Sequence, residues 1–440
     1  MAVTQQAPAL ALERKLRERT ARVGVVGLGY AGLPMAVEIA RAGFAVTGID
    51  VNRNRVAAVN AGLSPVSDVD DVTLRELVDA ERLGASDDYE VLRELDAVII
   101  CVPTPLTDDK QPDLRYVEAA TRDIAARLHP GMLVALQSTC SPGTTREVLL
   151  PTLEESGLTV GEDYFLVFAP ERIDPGNARF TVRNTPKLIG GVTPRCSELA
   201  ADLYRSFIDE VVSVSAPEVA EMSKLVENTF RFINISFINE MAQLCDRIGI
   251  SVWEVVNAAS TKPFAFMPHY PSAGVGGHCI PIVPFYLESV AQRHGLIAEM
   301  ILAAGRTNDR MPGFTVEKLK RLLAERGTNV SRLRVLLLGV TYKKDVADLR
   351  ESAALEVLRY LRAEGHEVVY HDPMIPEVTV DGETLRSVGL SADLLRSVDG
   401  AILLVPHSDV DYDLVARHAP LVLDTGNALK RYGSERIIPL

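Results

Sequence analysis

Two stretches of the chain alternate short apolar runs with amphipathic ones, and a long helical pattern separates them. Residues 22–28 read as a strand, Arg-Val-Gly-Val-Val-Gly-Leu, and after a glycine turn 35–42 continue as a helix. A second strand over 44–50 ends on Asp50. β-rich runs at 97–102 and 132–137 repeat the pattern, with a helix between them over 113–128. Strands alternating with helices predict a doubly wound parallel sheet. From Pro217 the texture changes. Residues 218–248 contain neither Gly nor Pro, and Met222, Leu225, Val226, Thr229, Phe230, Ile233, Phe237 and Met241 recur at helical spacing. That length is well beyond the ~10–14 residues of an average globular helix. It predicts a spine joining two domains and packing on a second subunit. Beyond Pro312 the alternation returns, with strands at 334–340, 367–371, 400–405 and 420–424 and a helix at 352–363.

The expected fold class is therefore α/β, with two Rossmann-like doubly wound domains joined by a long central helix and helical segment. Residues 1–20 are expected as a flexible extension, and 21–215 as the dinucleotide-binding domain. Residues 216–311 then form the central helical part for dimerisation and catalysis, and 312–440 the second α/β domain. An apolar fraction of 47% is enough for several cores. The net charge of -13 argues against nucleic acid as a partner, since a phosphate backbone demands clustered positive charge. An acidic protein that binds a nucleotide must use helix N-termini, backbone amides and single Lys or Arg residues. No run approaches the ~20 apolar residues that span a bilayer, and the first twenty residues do not read as an export signal. Five cysteines, at 101, 140, 196, 245 and 279, include no CxxC pair. They fit a reducing cytoplasm better than a disulfide framework and call for no metal. A cytoplasmic chain without membrane association is expected.

Three constellations carry chemistry. Gly27-Leu28-Gly29-Tyr30-Ala31-Gly32 is a GxGxxG that follows a strand, opens a helix and is answered by Asp50 at the end of the next strand. The glycines allow a tight turn and close approach of a pyrophosphate, whose charge sits at the positive helix end. Asp50 can accept from the adenosine ribose hydroxyls and would repel a 2′-phosphate, which favours NAD over NADP; Arg53 counts the other way. The second is Gly274-Val275-Gly276-Gly277-His278-Cys279-Ile280-Pro281, a cysteine behind clustered glycines that leave room for a substrate. If the loop leads into a helix, its amides and dipole would activate the Cys279 thiol as a nucleophile. His278 is expected to structure the loop, and the other four cysteines to be inert buried thiols. Third, Lys224 and Asn228 lie four apart on the long helix, on one face. Together they could hold a developing oxyanion, although that spacing equally suits a solvated helix face.

These motifs resemble, in order and over nearly the whole chain, the UDP-glucose/GDP-mannose dehydrogenase family. The similarity rests on Gly-Leu-Gly-Tyr-Ala-Gly-Leu-Pro (27–34), Val-Pro-Thr-Pro-Leu (102–106), Ser-Thr-Cys-Ser-Pro-Gly-Thr-Thr (138–145) and Ala-Pro-Glu-Arg-Ile-Asp-Pro-Gly-Asn (169–177). It continues through Asn-Thr-Pro-Lys (184–187), the Lys224/Asn228 helix, Gly-Gly-His-Cys (276–279), Leu-Gly-Val-Thr-Tyr-Lys-Lys-Asp (338–345) and Asp-Leu-Arg-Glu-Ser (348–352). The Pro-Glu-Arg and Gly-Gly-His-Cys-Ile-Pro variants look closest to the UDP-N-acetylhexosamine dehydrogenase branch.

The resemblance implies a four-electron oxidation of the C6 alcohol of a UDP-hexose to a carboxylate, using two NAD and a thiohemiacetal and thioester on Cys279. It implies that Lys224 and Asn228 stabilise oxyanions, Glu171 acts as general base and Thr139 positions water. Tyr30, Ala31, Pro103, Thr104, Ser138 and Thr139 would join the glycines, Asp50 and Arg53 at the cofactor. Glu171, Arg172, Lys224, Asn228, Arg231, Gly276 and Gly277 would meet the substrate, and Lys343 and Arg350 its diphosphate. Two positions depart from the family. Val283 stands where an aspartate is usual, four residues after the cysteine, and Gln137 stands where glutamate is usual. Losing one acid-base group costs about 10²–10⁴-fold in rate. The competing readings are a two-electron dehydrogenase of the β-hydroxyacid type, an enzyme of this fold that stops at the aldehyde, and a non-catalytic nucleotide-sugar binding protein.

Overall fold

The computed structural model describes residues 7–66, 68–107, 111–174, 177, 179–277 and 280–440. The chain divides into two compact units, Met1–Glu227 with Phe285–His294, and Asn228–Pro284 with Gly295–Leu440.

In the first unit the strands are β1 (Arg22–Val26), β2 (Ala45–Ile49), β3 (Leu83–Ser86), β4 (Ala97–Ile100), β5 (Leu133–Leu136), β6 (Phe165–Phe168), β7 (Lys187–Gly191) and β8 (Val211–Val214). Among the described residues they form one sheet in the order β3-β2-β1-β4-β5-β6-β7-β8. All pairs are parallel except β6 with β7. The apolar runs are nearly continuous because both sheet faces are covered. Val23, Val25, Ala97, Ile99, Leu133 and Ala135 enter one core, while Val26, Val98, Ile100, Val134 and Leu136 enter the other. Strand order reverses at β1, whose neighbours are β2 and β4. Open α/β sheets bind their ligands beyond the carboxyl ends of strands at such a point.

The N-terminal residues depart from the flexible extension expected over 1–20. Ala7–Glu18 is a helix that buries Ala9, Leu12 and Leu16. Lys15 pairs with Asp96 at 2.5 Å, and Glu13 with Arg195 at 2.6 Å. The apolar stripe at spacings of three and four is only three residues long, and the charges between them hide it in the sequence.

The second unit carries β9 (Arg334–Leu338), β10 (Glu367–His371), β11 (Glu377–Val380), β12 (Glu383–Arg386), β13 (Gly400–Leu403), β14 (Val422–Asp424) and β15 (Ile437–Pro439). Its parallel sheet runs β10-β9-β13-β14-β15, with β11 and β12 a separate antiparallel hairpin. Val335 and Leu337 point into one core, Leu336 and Leu338 into the other. The expected boundary at Pro312 falls inside a helix, Glu299–Glu325, with Pro312 itself buried. An interior proline costs about 3 kcal/mol. Met311, Val316, Leu319 and Leu323 on the same helix join the second unit's core, and burying each side chain fully returns ~1.5–3 kcal/mol.

One helix, Pro217–Ile248, is 32 residues long. It buries Ala220, Leu225, Phe232, Ile238, Ala242 and Cys245, yet leaves Val219, Met222, Val226, Phe230, Phe237, Leu244 and Ile248 exposed. Among the described residues, no helix is long and apolar enough to cross a membrane.

Candidate active site

The loop after β1 is shaped for a dinucleotide. Gly27 has φ +96°, and a Cβ there would lie 2.6 Å from the Cys101 carbonyl oxygen. A Cβ on Gly32 would lie 1.8 Å from the Gly27 oxygen, whereas Gly29 faces open space. The turn is thus closed on its protein side and bare where a pyrophosphate approaches. The helix it opens, Gly32–Arg41, starts from Ala31 and has no side-chain cap, so no side-chain oxygen occupies its N-terminus. Tyr30 is half-buried against the core of this unit.

Asp50, at the end of β2, is almost wholly buried. Its Oδ2 accepts from the Leu28 amide at 2.8 Å and from Arg55 Nη1 at 2.9 Å, and its Oδ1 accepts from the Asn52 amide at 2.9 Å. The carboxylate therefore braces the glycine loop. Arg53 is directed elsewhere, into an exposed ion pair with Asp87 at 2.8 Å. The cation at Asp50 is Arg55, five residues on, which the sequence reading missed. The carboxylate expected to disfavour a 2′-phosphate is thus present and buried at the end of β2.

Beyond β4, Pro103 is exposed and the Thr104 carbonyl accepts from the Tyr286 hydroxyl at 2.7 Å. Ser138 Oγ, beyond β5, donates to the Val102 oxygen at 2.8 Å, which joins the two cofactor loops, and Thr139 beside it is half-buried. The following turn is tied to the long helix by Glu221. One carboxylate oxygen accepts from the Gly143 amide at 2.7 Å; the other accepts from Thr145 N at 2.9 Å and Thr145 Oγ1 at 2.7 Å. Burial raises the Glu221 carboxyl above its ordinary range, and these hydrogen bonds oppose the rise. Lys224 lies three residues further along this helix, so the anchor fixes the Thr139 loop against the helix that carries the lysine.

Glu171 and Arg172 follow β6. Glu171 Oε1 accepts from the amides of Arg172 and Ile173, each at 2.8 Å, and Oε2 accepts from Gln137 Nε2 at 2.5 Å. Arg172 is spent within the protein, on Glu227 at 2.7 Å and on the Pro186 carbonyl at 2.6 Å. Lys224 is 8% exposed, and among the described residues it has no hydrogen-bonding or ion-pairing partner. One turn on, Asn228 is 7% exposed, and its Nδ2 likewise lacks a partner. A cation and an amide buried with unused donors on one helical face are not a solvated face. They fit a ligand that brings oxygen. Arg231 is exposed.

In the second unit the glycine loop is braced from three directions. Asn239 Oδ1 accepts from Ser272 N at 2.9 Å, Asn308 Oδ1 from Val275 N at 2.6 Å, and the Arg350 carbonyl from Gly277 N at 3.3 Å. A Cβ on Gly276 would lie 2.7 Å from the Glu351 oxygen, and one on Gly277 2.8 Å from the Tyr342 ring. The structure therefore brings Gly276 and Gly277 against the segment that holds Lys343 and Arg350. Arg350 makes a forked contact with Asp348, closest at 2.6 Å, and its side chain is half exposed. Lys343, half-buried, follows Thr341, whose hydroxyl donates to the Lys343 carbonyl at 3.0 Å. His407 secures this segment by accepting from Asp345 N at 3.0 Å and donating toward Asp372 at 3.2 Å. His278 and Cys279 lie outside the described residues. The helix after them begins at Val283, which is buried. An aspartate in that first turn would also have gained from the helix dipole. Cys101, Cys140, Cys196 and Cys245 are free thiols. Burial pushes Cys101 up to about 12 and Cys140 well above its usual value, so neither is a thiolate at neutral pH.

A GxGxxG loop with a buried ribose carboxylate at a sheet's switch point, followed by a long helix with unspent buried donors, defines a dinucleotide-dependent dehydrogenase. Residues 21–208, 218–310 and 336–431 match, in turn, the NAD binding, central and UDP binding domains of the UDP-glucose/GDP-mannose dehydrogenase family. The chain belongs to that family. It is 38% identical over 391 residues to the UDP-N-acetyl-D-glucosamine 6-dehydrogenase of Pseudomonas aeruginosa, covering 88% of this chain and 91% of the relative. It is 37% identical to the UDP-N-acetyl-D-mannosamine dehydrogenase of Pyrococcus horikoshii over 356 residues, covering 80% and 84%. The solved structure of a Pyrococcus horikoshii UDP-D-ManNAc dehydrogenase superposes with a TM-score of 0.84 at 32% identity, covering 95% of this chain and 98% of the other. NAD is the cofactor and a UDP-sugar the substrate, and the protein is an oxidoreductase.

Gly32→Ala tests the cofactor loop. The added methyl has no space against the Gly27 oxygen, so NADH titration followed by fluorescence is expected to show at least about a tenfold loss of affinity, the effect of ~1.4 kcal/mol. Unchanged affinity would mean that the loop does not hold the dinucleotide.

Proposed function

We propose that this enzyme oxidises the C6 hydroxyl of a UDP-N-acetylhexosamine to the carboxylate, with Cys279 carrying the substrate between two oxidations. The observation that carries the reading is the Lys224–Asn228 pair, buried one turn apart, neither the ammonium nor the amide Nδ2 having a hydrogen-bond acceptor among the described residues. The relatives described above are named for UDP-N-acetylglucosamine and UDP-N-acetylmannosamine, and the same substrate class is taken here.

NAD, when bound beyond the Gly27–Gly32 turn, supplies the hydride acceptor for each oxidation. Glu171 takes the hydroxyl proton as the alcohol becomes an aldehyde, its carboxylate already aimed by two backbone amides. The Cys279 thiolate then bonds to the aldehyde carbon, and the carbonyl π electrons move onto oxygen. Lys224 and Asn228 hold that oxyanion. Fixed donors at such a position are each worth ~10²–10³-fold. After the second oxidation the carbon is held as a thioester; water adds, the carbon–sulfur bond breaks, and the uronate leaves with the thiol restored. Covalent capture keeps the reactive aldehyde from escaping. Lys343 and Arg350 supply the positive charge for the diphosphate, with Asp348 orienting the Arg350 guanidinium. Val283 leaves this site one carboxylate short of its family, and hydrolysis of the thioester bears the cost.

The exposed apolar face of the long helix is covered by a second copy of this chain. Seven large apolar side chains on one helix make a patch that monomers rarely expose, and a two-fold axis lets the same face cover itself. The proposed location is the cytoplasm, where the free thiols persist.

Two experiments test these readings. Incubation with NAD and UDP-glucose, UDP-N-acetylglucosamine or UDP-N-acetylgalactosamine, with products resolved by mass spectrometry, is expected to give a uronic acid from an N-acetylhexosamine. Cys279→Ser should give none. Acid formed by Cys279→Ser at the parental rate would exclude the covalent route, and oxidation of a simple β-hydroxy acid in place of nucleotide sugars would favour the two-electron alternative. Sedimentation at assay concentration should find a dimer or a multiple of one; a monomer would leave the helix face unexplained and refute its assignment.

A further inference from the structure

Lys187, the first residue of β7, is only 3% exposed, an unusual position for a lysine. Its Nζ donates to Gln137 Oε1 at 2.9 Å, and Gln137 Nε2 donates in turn to Glu171 Oε2 at 2.5 Å. The ammonium stands 3.8 Å from Glu171 Oε2 and 5.3 Å from the centre of the Tyr204 ring. The direction of this chain is unambiguous. A lysine can only donate and an ionised carboxylate can only accept, so the amide between them must turn its oxygen to Lys187 and its NH₂ to Glu171.

We infer that Lys187 is a positioning residue for Glu171, acting through Gln137. The inference rests on the reading of Glu171 as the base. Two backbone amides hold Oε1, whereas among the described residues the hydrogen-bond donor to Oε2 is the side chain of Gln137. A glutamine amide has two ways of facing and several rotamers. Lys187 selects the one in which NH₂ rather than C=O meets the carboxylate. With the lysine absent, the amide can flip and present its oxygen to Oε2, which would push the carboxylate away or protonate it. Burial lowers Lys187 from the ordinary lysine range, Glu171 and Cys101 oppose the change, and Lys224 and Arg172 add to it.

This chain also accounts for a residue that the family resemblance marks as a departure. A glutamate at 137 would place two carboxylates 2.5 Å apart beside one lysine, and such a pair must share a proton. Glutamine delivers a donor to Glu171 without that competition, so both Oε1 and Oε2 are oriented while the carboxylate stays free to take a proton from substrate.

The test compares Lys187→Met, Lys187→Arg, Gln137→Glu and Glu171→Gln by kcat, KM and the pH dependence of kcat. Misplacing the base is expected to lower kcat about 10²-fold in Lys187→Met, with KM for NAD and UDP-sugar changed far less, and Lys187→Arg should recover much of the loss. Gln137→Glu should move the acidic limb of the kcat profile to higher pH, and adding Lys187→Met should move it further. Parental kcat in Lys187→Met, or a parental pH profile in Gln137→Glu, would overturn the proposal. Should Lys187→Met fail to fold, shown by lost NADH binding, Gln137→Glu preserves the side chain's shape and decides alone. Parental turnover in Glu171→Gln would instead refute the assignment of the base itself, an outcome distinct from failure at Lys187.

Discussion

Main-chain N–H groups in the loops beyond a parallel sheet have no strand partner, and away from water each needs an acceptor. Buried or half-buried carboxylates meet this need at several of these loops. Asp50 takes the Leu28 amide, Glu171 those of Arg172 and Ile173, and Glu221 those of Gly143 and Thr145. In the second unit Asp372 takes Val340, Met374 and Ile375. A charged acceptor makes each bond stronger than a neutral one and makes its loss expensive. Two of the carboxylates are also proposed for a second duty, Asp50 at the ribose and Glu171 at the substrate.

This constraint explains the distribution of charge. Glu221 is held by two backbone amides and the Thr145 hydroxyl, with no ion pair among the described residues. Lys224, on the same helix, has no hydrogen-bonding or ion-pairing partner among the described residues, which leaves its ammonium available to a ligand. Arg172 shows the opposite case: its guanidinium is spent on Glu227 and a carbonyl, so its contribution is to order the loop rather than to meet substrate in this arrangement. Arg53 is likewise committed to Asp87.

Much of this was legible in the sequence because it depends on local order. Both sheets follow from apolar runs covered on two faces, and the cofactor loop from three glycines between a strand and a helix. Lys224 and Asn228 follow from a spacing of four. The contacts that hold these groups were not legible, since they join residues 34, 50 and 76 positions apart. Nothing near Lys187 distinguishes it from a surface lysine at the start of a strand, and Glu221 reads as one more charge on a long helix. The packed helix Ala7–Glu18 escaped because its stripe is three residues long, and Pro312 misled because a proline ordinarily ends a helix.

The central claim is a complete alcohol-to-acid oxidation in a site that lacks one familiar carboxylate, at Val283. The most direct measurement is the yield of NADH per UDP-N-acetylhexosamine consumed, run to completion. Two NADH per sugar, with no free aldehyde trapped by hydroxylamine, is the result expected of substrate held on Cys279 until it is an acid. One NADH per sugar, with an aldehyde in solution, would show that the second oxidation does not occur and contradict the account.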